Sequence, residues 1–353
     1  MTSSADHTPR TDAVDPADTT VTADAPDTSA DGGPAPATDA TAPAGTDRAH
    51  AHDHNRDKDP ALHRTEPVSF VRRGARLTAG RQAAWDRQAG RVLVPVPRHH
   101  GATSVDPQAA VDWDAVFGRH APLLVDVGSG LGESTAQGAA DHPEWNVLAV
   151  EVYIPGLASL MSLVERRGLE NVRAVEANAP ELMDHLLPAG SVQELWVFFP
   201  DPWHKKRHHK RRLVTTAFAD RAARVLAPGG VLRLATDWSG YAVQMREVMD
   251  AHPAFRNLHP GRATGEDSPL TRVRREGREA EVGAQPLPAG WDDDAAERPL
   301  RAGLGEAVAA QQEDPVDRLG GWAPRFEGRP LTQFENKALK AGRLVFDLAH
   351  ERL

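Results

Sequence analysis

The sequence contains no cysteine among its 353 residues, which excludes disulfide scaffolds, thiolate metal sites and cysteine nucleophiles. Aromatic residues are scarce, at 5%, and mean hydropathy is −0.49, which excludes a polytopic membrane protein. No run of about 18 apolar residues occurs, so a single transmembrane anchor is excluded as well. The opening MTSSADHTPRTDAVD has neither a basic region nor an apolar stretch. No secretory leader is read there, and the expected location is the cytoplasm.

Large apolar side chains are also missing from residues 1–60, which hold two Val and no Leu, Ile or aromatic residue. Such a stretch cannot bury enough surface to offset the entropy of ordering it. Residues 1–62 are therefore read as a disordered acidic tail. The tail carries most of the charge: twelve Asp and no Glu against four Lys or Arg give −8 over residues 1–60, out of a formal net −9 for the chain. His50, His52 and His54 alternate there and have metal-ligand chemistry, but the solvated low-complexity reading is preferred, and no metal is expected.

The body, 63–353, is nearly neutral. It is read as a single domain with a low-order insertion at about 262–328, where GEDSP, PLPAGWDDD and EDPVDRLGGW show little sustained periodicity. Loops this long are uncommon inside compact domains. One short helix is expected at about 300–310.

From Pro122 onward, short apolar runs alternate with helical spacing. PLLVDV, VLAVEV, NVRAVEA, ELWVFF and VLRLATD read as strands. Between them, Leu157, Leu160, Met161 and Val164 fall on one helical face, as do Phe218, Ala222 and Val225, and then Tyr241, Met245 and Val248. The second of these helices is expected to stop at Pro228-Gly229-Gly230. This order implies an α/β fold with a doubly wound, mostly parallel sheet. Right-handed crossovers then place every strand's carboxyl end on one rim, where ligands bind. Asp126, Glu151, the Asn178 region, Asp201 and Asp237 stand at those ends.

The loop Asp126-Val-Gly128-Ser-Gly130-Leu-Gly132 follows the first strand. Its glycines permit close approach of backbone to ligand. The spacing is G-x-G-x-G rather than the dinucleotide G-x-G-x-x-G, and Glu133 stands where a pyrophosphate would need positive potential. An acid there suits a cofactor with a cationic sulfonium and an amino-acid moiety. Glu151 is placed to accept from the two hydroxyls of a ribose.

The segment Phe198–Arg212, FFPDPWHKKRHHKRR, passes abruptly from buried strand to concentrated cation. Pro200 and Pro202 bracket Asp201 and restrict its backbone. Beyond it lie six Lys or Arg and three His in nine residues, an electrostatic footprint for nucleic-acid phosphate. Trp203 is read equally well as a base-stacking platform or as packing against the insertion. The histidines lack a convincing third zinc ligand.

These residues resemble the bacterial tRNA (guanine-N7-)-methyltransferases, Rossmann-like class I S-adenosylmethionine-dependent enzymes. The resemblance covers about Arg64–Pro260 and Pro330–Leu353. FFPDPWHKKRHHKRR is its most specific part, DVGSGLG fits any class I methyltransferase, and ATDW at 235–238 and TQFE at 332–335 add support. It implies methyl transfer to N7 of guanine 46 in the tRNA variable loop; a monomer or homodimer acting on tRNA is expected. It implies cofactor contacts at Asp126, Gly128, Gly130, Glu151, Asn178 and Asp201, with Asp201 also the catalytic acid. Lys205, Asp237, Thr332, Gln333, Phe334 and Glu335 would contact substrate, and Arg207, His208, His209, Lys210, Arg211 and Arg212 would touch RNA. Three positions depart from the family pattern: Asp126 stands for a more usual Glu, Asn178 for Asp, and Gln333 for a basic residue.

Two other readings share part of this pattern. A class I methyltransferase acting on another RNA or a small molecule would keep the glycine loop and Glu151 but leave PDPW unexplained. A non-catalytic RNA-binding protein would explain the cations but not the strand-end acids. The glycine spacing opposes a nicotinamide-dependent oxidoreductase.

Overall fold

A computed structural model of the chain describes residues 76–99, 101–263, 320–340 and 343–353. The tail, the expected helix at 300–310 and most of the 262–328 insertion lie outside them.

The alternation read from the sequence folds as strands β1 (Leu123–Val127), β2 (Asn146–Glu151), β3 (Val172–Glu176), β4 (Val192–Phe198) and β5 (Leu226–Thr236). Helices α1 (Ala79–Val92) and α2 (Trp113–Phe117) precede them. Helices α3 (Glu133–Asp141), α4 (Ile154–Arg167), α5 (Ala179–His185) and α6 (Thr216–Val225) form the crossovers, and α7 (Ser239–Ala251) follows β5. The chain closes with β6 (Phe255–Asn257), α8 (Gln333–Lys340) and β7 (Phe346–Arg352).

The seven-stranded sheet has the order β3-β2-β1-β4-β5-β7-β6. The first five strands pair parallel, while β7 runs antiparallel to both β5 and β6. Winding proceeds outward from β1 in one direction and from β4 in the other, so the crevice between their carboxyl ends is the topological switch point where open α/β sheets bind ligands.

Both sheet faces are covered, which is why the strands read as nearly continuous apolar runs. Leu124, Val147, Ala149 and Trp196 face α3 and α4, while Val125, Leu148, Val150 and Leu195 pack with α5, α6 and α7. The expected α4 face, Leu157, Leu160, Met161 and Val164, is fully buried. On α7, Tyr241 and Met245 are buried, with Met249 rather than Val248 completing the face. Helix α6 stops at Val225, before the Pro-Gly-Gly expected to end it, because Leu226 is already extended and paired with Val192. Ala227, preceding Pro228, is itself biased away from the helical region.

Candidate active site

The parallel strands bring Asp126, Glu151, Asn178, Asp201 and Asp237 to one rim, each at or just beyond a strand's carboxyl end. Asp126 sits inside β1, buried, and its Oδ2 accepts from the Thr135 hydroxyl at 2.6 Å. Burial pushes its carboxyl up to about 7, assisted by the nearby Glu151 charge and opposed by the Thr135 hydrogen bond.

Glu151 ends β2. Its Oε2 accepts from Gly130 N at 2.7 Å, and its Oε1 accepts from Val152 N and Tyr153 N at 2.6 and 2.9 Å. Burial raises its pKa, those backbone donors lower it, and the Asp201 charge raises it further, which places Asp201 within electrostatic reach. Asn178 stands at the N-cap position of α5 without a side-chain capping bond: its N–H donates to Thr103 O at 2.7 Å and its Nδ2 to Glu181 Oε1 at 3.0 Å.

The glycine loop follows the backbone of α4 closely. A side chain at Gly156 would place its Cβ 2.2 Å from Gly130 O, and one at Gly132, where φ is +83°, would meet Leu160 at 2.6 Å. Both positions therefore admit only glycine without rearrangement. Within this loop the Ser129 hydroxyl is buried with no hydrogen-bond partner.

Helix α8 brings the 332–335 segment to the same loop. Gln333 N–H donates to the Glu133 carboxyl, which burial pushes up to about 7 against that hydrogen bond. Phe334, half exposed, lies against Gly130. Thr332 and Glu335 point elsewhere: both are buried, and Thr332 Oγ1 accepts from Glu335 N at 3.2 Å as the helix cap. The Glu335 carboxylate is bound by Arg325 and Arg329.

On the β4 side the backbone is strained. Phe199 and Trp203 have φ of 53° and 46°, values sparsely populated by residues with a Cβ and concentrated at functional sites. Asp201 lies exposed between them. The cationic stretch continues from Lys205 into a short 3-10 helix, Lys206–Arg211. Lys205, Lys206, Arg207 and Lys210 are exposed, and His208 and His209 are half-buried. Arg211 stacks over Trp203, its guanidinium carbon 3.7 Å from the ring centroid. Arg212 differs from the others: it is buried, donates to Pro202 O, Gly240 O and Gln244 Oε1, and lies over the Tyr241 ring. It fastens the Asp201 turn to α7. Asp237 is paired with Arg343, Nη2 to Oδ2 at 2.7 Å.

A methyltransferase family model, Methyltransf_4, matches residues 120–283. Among curated relatives, a tRNA (guanine-N(7)-)-methyltransferase of Paenarthrobacter aurescens (strain TC1) is 53% identical over 286 residues, 81% of this chain and 91% of that one. Another of that name, from Arthrobacter sp. (strain FB24), is 53% identical over 287 residues, 81% of this chain and 86% of its own. The chain belongs to the tRNA (guanine-N(7)-)-methyltransferase family. A more distant member, from Cutibacterium acnes, is 37% identical over 286 residues, 81% of this chain and 83% of its own.

Several residues of this tRNA (guanine-N(7)-)-methyltransferase site escape motif reading. Ser129 stands within the glycine motif but has no spacing signature, whereas Glu133, next after the motif, is marked by its charge. Thr135 has a weak signal, one helical turn beyond Gly132. Arg98, which donates to Ser104 O and Glu176 O behind Asn178, Arg329 and Arg343 come from segments that show no pattern.

Proposed function

We propose that this chain transfers the methyl group of S-adenosylmethionine to N7 of a guanine in tRNA, the guanine at position 46 of the variable loop. The observation that carries this reading is the juxtaposition at the β4 mouth: Asp201 stands at the switch-point rim, and the exposed Lys205, Lys206, Arg207 and Lys210 follow directly.

The residues present suit the cofactor. Ser129 Oγ is a buried hydroxyl awaiting a partner, and buried polar groups are seldom left unpaired. Asp126 and Glu151 are buried carboxyls whose ionisation a cationic ligand favours. Asn178 is an amide suited to an adenine edge, and Gly128 and Gly130 leave space for close approach. When bound, S-adenosylmethionine supplies an electrophilic methyl on a sulfonium.

Guanine N7 carries a free in-plane lone pair and needs no deprotonation before attack. The chain's task is therefore alignment, which contributes roughly 7–11 kcal/mol when reacting atoms are held in line. Transfer leaves positive charge on the purine, so a carboxylate beside it stabilises the transition state. Asp201 fills that role, and its oxygens also accept from the ring N–H and amino group of the guanine edge. No general base is required. The surface cations take the phosphates, and Trp203, backed by Arg211, offers a stacking face worth about 1–3 kcal/mol per base.

Among the described residues no helix is long and apolar enough to cross a membrane. With tRNA as partner, we place the chain in the cytoplasm, acting as a monomer or homodimer. Incubation with labelled S-adenosylmethionine and unmodified tRNA, followed by borohydride–aniline cleavage, tests the assignment. A break at the variable-loop guanine is expected. Label without cleavage there would move the target to another atom, and absence of label despite cofactor binding would refute the substrate.

A further inference from the structure

Arg329 is one of the largest fully buried side chains, and its side chain has 0% exposure. Its guanidinium bonds two carboxylates on different elements. Nε and Nη2 each donate to Glu335 of α8 at 3.2 Å, and Nη1 and Nη2 donate to Asp347 of β7. The same guanidinium lies 5.2 and 5.4 Å from the ring centroids of Phe198 and Phe199. Arg325 reinforces the arrangement, donating to both Glu335 oxygens at 2.6 and 2.9 Å and to Arg329 O at 2.8 Å.

Two parts of the chain meet at this cation. One is the start of α8, which carries Gln333 to Glu133 and Phe334 to Gly130. The other is Phe199, whose φ of 53° turns the chain out of β4 toward Asp201. Strain of this kind persists only where surrounding contacts over-determine it. Buried ion pairs are weak evidence for stability, since desolvation offsets much of the Coulomb gain, but they can select one geometry.

We propose that Arg329 is a positioning residue for methyl transfer, locking the α8 start and the Asp201 turn into one register, and that Glu335 acts through Arg329 and Arg325 instead of touching substrate. The proposal rests on the transferase reading for its kinetic consequence but not for its structural one. The hydrogen bonds of Arg329 go to Glu335 and Asp347, not to Asp126, Glu151, Asn178 or the exposed cations at 205–210. Its loss should therefore spare ground-state binding and impair the step that needs alignment.

Arg329→Met keeps length and removes charge. The expected result is a folded protein whose S-adenosylmethionine Kd and tRNA KM stay within about threefold of wild type while kcat falls about 100-fold, the pattern of an interaction realised only in the transition state. Arg329→Lys should recover about tenfold of that loss, since one ammonium can still pair but cannot bridge both carboxylates in a fork. Hydrogen exchange supplies a readout independent of activity: amides of 198–204 and 332–337 should both exchange about tenfold faster in Arg329→Met. Should that variant fail to fold, Asp347→Asn, isosteric and buried against Arg329, should accelerate exchange in both segments and lower kcat about tenfold. An unchanged kcat, a loss of Kd and kcat in proportion, or acceleration confined to one segment would overturn the proposal. Failure of the wild type to methylate tRNA would refute the assigned reaction, and the paired exchange result would still decide the coupling.

Discussion

The Thr135 hydroxyl donates to the Asp126 carboxylate at 2.6 Å, with the threonine fully buried and the acid nearly so. A helix that opens directly after the glycine loop thereby holds the first strand-end acid from behind. Thr135→Val keeps the shape and removes the donor. It should cost about 1–3 kcal/mol of stability, the usual penalty for leaving a buried polar partner unsatisfied, and weaken cofactor binding. Thermal unfolding and calorimetric titration check both, and a variant with wild-type affinity would detach Asp126 from the cofactor.

Burial holds both Asp126 and Glu133 up at about 7, and it raises Glu151 as well. Below their ordinary range, near 4, these carboxyls are protonated in both states. Between about 4 and 7 the folded chain keeps protons that the unfolded chain releases, so ligand-free stability falls as pH rises through that window. A cationic ligand reverses the preference and favours the carboxylates. Binding of S-adenosylmethionine should then release protons and tighten as pH rises through about 7. Calorimetry in buffers of differing ionisation enthalpy measures the release, and Asp126→Asn should reduce it. Affinity independent of pH from 6 to 8 would contradict this electrostatic account.

The cationic segment divides into two groups that salt titration distinguishes. If Lys205, Lys206, Arg207 and Lys210 each meet one phosphate, log K for tRNA should fall against log salt with a slope near −3, taking about 0.7 per contact on single strands. Lys210→Gln should reduce that slope by about 0.7. Arg212→Gln should leave the slope unchanged and lower stability instead, because Arg212 is spent on Pro202, Gly240 and Gln244. A reduced slope in Arg212→Gln would return that residue to the RNA.

Much of this architecture was legible in the residues. The Leu157–Val164 face, the five parallel strands and the acids at their ends follow from periodicity, because strands buried on both faces write themselves as apolar runs. What stayed hidden had polar residues in buried places. Strand β7, FDLAHER, carries Asp347 and His350 at fully covered positions, so its pattern reads as surface until Arg329 and Asp250 supply their partners. Helix α1, AGRQAAWDRQAGRV, buries only Ala84 and Val92 and leaves almost no apolar stripe to detect. In the site, motif spacing led to Asp126, Glu151, Asp201 and the glycines. The family resemblance gave Glu335, and the cationic run gave Arg212, the same standing as their exposed neighbours, although both are buried and internally paired. Charge type is written in the sequence, but which charges face inward depends on long-range partners that spacing does not encode.

The close approach of the glycine loop to Gly156 of α4 provides a separate check on the crevice. Gly156→Ala would force a Cβ toward Gly130 O, shifting the loop that Glu151 holds through Gly130 N. Overpacking of this kind costs typically about 1–3 kcal/mol, and cofactor affinity should fall with it. Gly190→Ala, at a positive φ but with open space around it, should cost stability alone. Equal cofactor Kd in the two variants would contradict the close-approach role.

Asp201 acts chiefly on the purine in the transition state, and its contacts to one guanine edge contribute little to the affinity for the whole tRNA. The most direct test is single-turnover methylation by Asp201→Ala and Asp201→Asn, with tRNA affinity measured on the same preparations. The expected result is tRNA binding within about threefold of wild type, with the rate down by 100-fold or more in Asp201→Ala, an effect of the size found when one transition-state electrostatic contact is removed. Asp201→Asn, which keeps an acceptor but not the charge, should fall between. Wild-type turnover in Asp201→Ala, or a loss of rate matched by an equal loss of tRNA affinity, would contradict the account.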